Sequence, residues 1–319
     1  MLAKVRNFLP MLWKQLQTRK LPWVPALSAA EQTKLTWAKF IESYADVPRA
    51  YQDFFAPLLA DKQAFPYTVL TPSREGFFTR VTEKLVCNFG REIHVLEKSE
   101  SSFNAQCYPV DGISYVEVKT ILLDSHIKIS GITRQGIPAS STINFNSVGD
   151  YLFTPIVKTI RLATGDFKGV AQDSELDKFD HLIKSNYKFM NYARRSLLAG
   201  EKVIHFILQP EIRVPVIKIL GKTYHRIISP TQMSILTNRE LIIIREDEPK
   251  GGFVDRYGGI WDYIQLDKIM SLTLNRKSND LLALSIQLPG NILLEFPFQT
   301  LAKPELDQLL NQFHELVTR

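Results

Sequence analysis

Short blocks in which apolar and polar residues alternate recur along most of the chain, and this period of two predicts β-strands. They include Arg91-Glu-Ile-His-Val-Leu96, His126–Ser130, Lys202–Leu208, Val214–Leu220, Arg239-Glu-Leu-Ile-Ile-Ile244 and Leu282–Ile286. Helical spacing is confined to a few stretches. Ser28-Ala-Ala-Glu31 has the form of a capping box, and Trp37, Phe40, Ile41 and Tyr44 behind it form an apolar stripe that predicts a helix. A second helix is expected from Pro48 through Tyr51, Phe54 and Phe55 to Leu59, and Phe65–Pro72, with its two prolines, is expected to be extended. Asp173–Leu198 reads as one long helix, capped by Asp173, lined by Leu176, Phe179, Ile183, Tyr187 and Met190, and ended by Gly200.

The strand blocks occur in one order twice. Arg91–Leu96 matches Arg239–Ile244, and Val110-Asp-Gly-Ile-Ser-Tyr-Val-Glu-Val118 matches Leu266-Asp-Lys-Ile-Met-Ser-Leu-Thr-Leu274. A tyrosine precedes each, Tyr108 and Tyr263. His126–Ser130 then answers to Leu282–Ile286, and Ile143-Asn-Phe145 to Leu294-Glu-Phe296. Each series closes with an amphipathic segment opened by proline, Pro155 and Pro304, a residue suited to the first helical turn. The ordered agreement predicts an internal duplication.

Composition supports a folded chain: of 319 residues, 45% are hydrophobic and 23% charged, enough for two ordinary domains and a helical appendage. No apolar run approaches the ~20 residues needed to cross a bilayer. The net charge of +6 is concentrated at the start, where Lys4, Arg6, Lys14, Arg19 and Lys20 occur among 26 residues without Asp or Glu. There Leu2, Val5, Leu9, Leu12 and Leu16 follow helical spacing, interrupted by Pro10, with Phe8 and Trp13 beside them. Lys4, Arg6, Trp13, Lys14, Arg19 and Lys20 are candidate membrane contacts; the stripe's competing role is to dock on the protein's own β-domains, and an organellar transit peptide has the same pattern. With its charge in an arm rather than across a folded face, the chain is not expected to bind nucleic acid.

Motifs for catalysis are missing from the sequence. The six histidines form no HxxxH or HxH pair, although His94 and His126 fall in strands that could approach each other. Cys87 and Cys107 read as reduced, buried thiols on neighbouring strands, with a disulfide between them as the alternative and without zinc-type spacing. There is no phosphate-binding glycine loop followed by Lys-Ser/Thr and no GxSxG elbow. No enzyme activity, catalytic residue, metal or cofactor is therefore expected. The aromatic, glycine-rich Arg256-Tyr-Gly-Gly-Ile-Trp-Asp-Tyr263 is a candidate recognition loop through Arg256, Tyr257 and Trp261, against a structural role for Trp261 at the end of a barrel.

Ile235-Leu-Thr-Asn-Arg-Glu-Leu-Ile-Ile-Ile244 followed by Tyr263-Ile-Gln-Leu-Asp-Lys-Ile269 resembles bacterial pleckstrin-homology (PH)-like and GRAM-like domains. The resemblance covers residues ~200–319, is fainter over ~72–165, and implies a scaffold without catalytic residues. It implies an α+β protein of two PH-like antiparallel barrels or sandwiches, each closed by a C-terminal helix. The expected division is an N-terminal helical arm (1–65), a first PH-like domain (66–170), a linking helix (171–200) and a second PH-like domain (201–319). The expected role is a cytoplasmic scaffold for protein–protein interaction or self-association; the alternative is a peripheral protein held on anionic lipid at the inner membrane face by the basic arm. Lys222, Arg226 and Arg239, like Arg80, Lys84 and Arg91, form no tight cluster of the kind phosphoinositide-binding PH domains use.

Overall fold

The alternating blocks fold as strands, and every pairing between described strands is antiparallel. The computed structural model describes residues 37–59, 64–75, 80–98, 103–121, 125–163, 173–219, 222–247 and 258–318. The basic arm (Lys4, Arg6, Trp13, Lys14, Arg19, Lys20), the Ser28–Glu31 box, and Arg256 and Tyr257 lie outside the described residues.

The first copy begins with β1 (Lys39–Ile41) and α1 (Arg49–Leu59), then β2 (Tyr67–Thr71), a short hairpin of β3 (Arg74–Glu75) and β4 (Arg80–Val81), and β5 (Lys84–Asn88), β6 (Glu92–Lys98) and β7 (Phe103–Pro109). After a 3-10 turn at Val110–Gly112 come β8 (Ile113–Thr120), β9 (Ser125–Ile132), β10 (Pro138–Phe145) and α2 (Thr154–Arg161). The expected helix at Trp37–Tyr44 is instead β1 and a 3-10 turn. Its aromatic and β-branched residues are weak helix formers, and pairing with the edge of β2 supplies the backbone partners. Ile41 then faces the core while the Phe40 ring lies outside, 4.9 Å from that of Tyr67.

Between the copies the predicted long helix is three short pieces: α3 (Asp173–Asp177), a 3-10 turn at Asp180–Ile183, and α4 (Tyr187–Ser196). The break has a local cause, since the Asn186 side chain accepts a hydrogen bond from Phe189 N and starts a new helix. The second copy runs through β11 (Val203–Gln209), a long ribbon of β12 (Ile212–Ile219) and β13 (Lys222–Ser229), and β14 (Gln232–Thr237), β15 (Glu240–Arg245) and β16 (Gly259–Gln265). A 3-10 turn at Leu266–Lys268 leads to β17 (Ser271–Arg276), β18 (Leu281–Leu288), β19 (Ile292–Gln299) and α5 (Lys303–Val317).

The duplication therefore extends to every element from α1 to α2 and from α4 to α5. It includes a matching hydrogen bond in each copy: Val110 N donates to Arg91 O, and Leu266 N to Arg239 O, both at 2.9 Å. Register refines the residue matches. Glu92 lies opposite Pro109 and Glu240 opposite Gln265, so His94 and Cys107 correspond to Ile242 and Tyr263. Tyr108 thus answers to Ile264, one residue from the match expected for it, and Phe145 answers to Phe298 rather than Phe296.

Packing repeats as well. In the first copy Val86, Ile93 and Tyr108 of one sheet meet Val116, Ile129 and Phe145 of the next, with Ile156 and Ile160 of α2 closing the side. In the second, Leu236, Leu241 and Ile264 meet Leu272, Ile286 and Phe298, closed by Leu306, Leu309 and Phe313 of α5. The outer face of each first sheet carries the preceding helix: Tyr51 and Phe55 of α1 in one, Phe189 and Met190 of α4 in the other.

The copies do not close as two separate barrels. Strand β8 pairs with β16, so the second sheet of copy one and the first sheet of copy two form one seven-stranded sheet in the order β10-β9-β8-β16-β15-β14-β11. A five-stranded sheet (β1-β2-β5-β6-β7) and a three-stranded one (β17-β18-β19) flank it. At the joint Gly258 has φ +88°, and a Cβ there would lie 2.0 Å from Thr120 O. Gly258→Ala is therefore expected to lose at least the roughly 1–3 kcal/mol of the backbone conformation, plus the clash, in urea unfolding. Gly90→Ala, at φ +83° but with nothing within 4 Å, is the control and loses less. Equal losses for the two variants would contradict the joint as described.

Candidate functional site

Three groups of polar side chains occupy positions where strand alternation would permit apolar ones. The first lies on the joint. Glu117 of β8 and Asp262 of β16 are directly opposite each other, and Arg245 of β15 reaches both, Nη2 2.5 Å from Glu117 Oε2 and Nε 3.2 Å from Asp262 Oδ2. His126 Nε2 sits 2.8 Å from Glu117 Oε1. Burial pushes the Asp262 carboxyl up to about 7, with Arg245 opposing and Glu117 adding to the shift. Glu117 is the reverse: burial works against ionisation, but the His126 hydrogen bond and Arg245 hold it well below the usual carboxylate range. The opposite shifts favour the proton on Asp262 and the negative charge on Glu117, and the pair faces an open cleft of about 450 Å³ also bordered by Pro230, Gln232 and Phe296.

The second group is an anchor across the joint. Arg161, the last residue of α2, is buried against the second copy: its Nε lies 3.0 Å from Glu240 Oε1 and its Nη2 donates to Ser196 O at 2.6 Å. Its guanidinium stands 3.8 Å from the centroid of the Tyr263 ring. Glu201, 3.7 Å away, is pushed up to about 8 by burial and then by Glu240. It accepts from Thr237 Oγ1 at 2.6 Å and Leu198 N at 2.7 Å.

The third group is in copy one. Glu92 and His94 alternate onto one face of β6, and Cys107 of β7 is directly opposite His94. His94 Nε2 is 3.2 Å from Glu92 Oε2 and 3.5 Å from Cys107 Sγ. The Phe89 ring stands edge-on to His94 at 5.1 Å, and Arg134 Nη1 lies 3.5 Å from the other Glu92 oxygen. An open cleft of about 490 Å³ borders Glu92, His94, Arg91 and Arg134. A carboxylate, an imidazole and a thiol so arranged can hold a proton between them or bind a cation.

Among the residues singled out from sequence, Trp261 lies on β16 and packs half-buried beside α4, its ring 4.9 Å from Tyr192. The ring is thus engaged within the protein. His94 and His126 are on different sheets, each with its own carboxylate, and are not brought together. Cys87 and Cys107 are both buried and outside any disulfide, but β6 separates their strands, so they are not neighbours across one ladder. Two inter-strand spacings of nearly 5 Å exceed the Cα separation a disulfide tolerates. Lys84 is buried in an ion pair with Glu97 at 3.2 Å and Arg239 is also buried, which removes two of the basic residues considered for lipid headgroups.

The raised Asp262 fixes the sign of a pH effect. Its folded value exceeds the ordinary 3.8, so its contribution to stability is complete below about 4 and is lost as pH rises through about 7. The urea midpoint of the protein is expected to fall across that window more steeply than that of Asp262→Asn. Parallel slopes for the two proteins would contradict a proton held on Asp262.

No protein-family model matches the chain, and no curated protein matches it in sequence.

Proposed function

We propose that the chain is a non-catalytic scaffold of two PH-like domains that binds other proteins, in the first place a second copy of itself. The PH-like reading is supported by the repeated succession of four strands, three strands and a helix begun at proline. The observation that carries the function is the unequal use of equivalent edges. Strands β8 and β16 are joined to each other, whereas among the described residues their counterparts β17 and β7 each end a sheet with one strand neighbour. Open edges are templates for further pairing.

The internal joint supplies a register for that pairing. Its partners Gly259↔Thr120, Ile260↔Lys119, Trp261↔Val118 and Asp262↔Glu117 translate, through the duplication, to Phe103, Asn104, Ala105 and Gln106 opposite Arg276, Asn275, Leu274 and Thr273. The carbonyl of Cys107 already turns outward to accept from Arg134 N at 2.8 Å, so by alternation the backbone of Ala105 also faces outward. Head-to-tail pairing of this kind is heterologous and generates chains or rings.

Two buried cysteines outside any disulfide fit a reducing cytoplasm. No helix among the described residues is long and apolar enough to cross a membrane. Peripheral attachment at the inner membrane face is the second reading. It is favoured by the five basic, acid-free charges of the first 26 residues, each worth ~1 kcal/mol at best near anionic lipid.

Light scattering coupled to size exclusion tests the scaffold reading on the full chain. The expected result is a molar mass that rises with loading concentration and returns to that of a monomer in Ala105→Pro. That substitution removes an outward N–H while leaving the β6 ladder intact. A monomer at every concentration, or assembly unchanged in Ala105→Pro, would overturn it.

A further inference from the structure

We infer that Glu92, His94 and Cys107 form a binding site for one divalent transition-metal ion of the zinc type, with a fourth coordination position open to the adjoining cleft. Their three donor atoms lie within 4.8 Å of one another. Around a tetrahedral zinc ion, ligand lengths of about 2.0–2.3 Å place neighbouring donors about 3.4–3.6 Å apart. The observed 3.2 Å (Glu92 to His94) and 3.5 Å (His94 to Cys107) lie close to that spacing before any ion is present.

The chemistry of the contact points the same way. One ring nitrogen, His94 Nε2, faces both a carboxylate oxygen and a sulfur. With a proton Nε2 donates to the carboxylate; without one it accepts from the Cys107 S–H while its lone pair stands against the carboxylate. A cation in the centre uses the imidazole lone pair, the carboxylate and the thiolate together. The nitrogen and sulfur donors select a borderline-soft ion over magnesium or calcium.

The surroundings are those of a held site. His94 is 4% and Cys107 9% exposed, so little movement is open to either. Phe89 stands edge-on to the imidazole, and the largely exposed Arg134 lies 3.5 Å from Glu92 Oε1 while Oε2 is directed at His94. Three protein donors leave a fourth position, as in zinc sites that admit an exchangeable ligand, and Arg91 and Arg134 on the cleft favour an anion or hydroxide there.

The duplication provides an internal comparison. The same strand pair in copy two carries Glu240, Ile242 and Tyr263 at the corresponding positions. The fold thus forms this ladder with an aliphatic and an aromatic residue, and Glu240 is engaged by Arg161. The imidazole and thiol of copy one are not demanded by the architecture. Cys87 flanks His94 from the other side, is fully buried and carries a thiol pushed up by desolvation; it serves as the control cysteine.

The test is titration of the chelator-treated full chain with Co²⁺. The expected result is one equivalent bound, with tetrahedral cobalt bands and a near-ultraviolet thiolate-to-cobalt absorption that Zn²⁺ abolishes. Cys107→Ser should lose that absorption and Cys87→Ser keep it. His94→Gln should weaken binding roughly tenfold or more, and affinity should fall with pH as the thiol retains its proton. Absence of the thiolate band in the wild type, its survival in Cys107→Ser or its loss in a folded Cys87→Ser would overturn the assignment. Should Cys107→Ser or His94→Gln fail to fold, alkylation of the wild-type protein under mild denaturant decides. Zn²⁺ is expected to slow modification of Cys107, mapped by mass spectrometry, more than that of Cys87, and equal or no protection would overturn the site.

Discussion

Backbone pairing between β8 and β16 joins two sheets that would each otherwise end in an open strand. The buried Arg161 fastens the same joint from the side. Burying a guanidinium costs several kcal/mol unless it is paired and hydrogen-bonded. Here Glu240, the Ser196 carbonyl and the face of Tyr263 surround it. Burial favours the protonated form of Glu201, which lessens the negative charge gathered around Arg161. The helix that closes copy one is thereby also a component of copy two, as is evident where Gln265 Nε2 donates to Ile160 O at 2.6 Å.

From this constraint follows a difference between two copies built on one plan. Copy two gives up its β16 edge, and its Glu240 is covered by Arg161. Among the described residues copy one retains the equivalent β7 edge, met at Cys107 O by Arg134 N, and an open cleft beside the equivalent Glu92. The copies differ again where β2 leads to β5 and β11 to β14. Copy one has the short β3–β4 hairpin, whereas copy two has the β12–β13 ribbon, on which Val216, Ile217 and Tyr224 are exposed. Copy one thus departs from copy two at its β7 edge and at its carboxylate–imidazole–thiol cluster.

Much of the architecture was legible from alternation. The strand blocks, both Pro-started helices and the order of the duplication are found as read, because a half-buried strand writes its period directly into the sequence. The one-residue displacement of Tyr108 arose because that match rested on residue type, whereas hydrogen-bond register decides which residues correspond. The fused sheet was not legible, since pairing between β8 and β16 is a backbone interaction without a side-chain period of its own. The Glu92–His94–Cys107 cluster was missed for a related reason. Spacing along the chain separates His94 from Cys107 by a whole hairpin, and register alone sets them opposite each other. The available signal was the alternation of Glu92 and His94 onto one face, beside the cysteine of the next strand.

Pairing of β8 with β16 makes the two copies one cooperative body, and native-state hydrogen exchange on the full chain tests this. Amides of β8 and β16 bonded across the joint are expected to open only with the global unfolding of the strands beside them, β9 and β15. Exchange of the joint amides at a much lower free energy, with β9 and β15 still protected, would show two copies that merely touch and would contradict it.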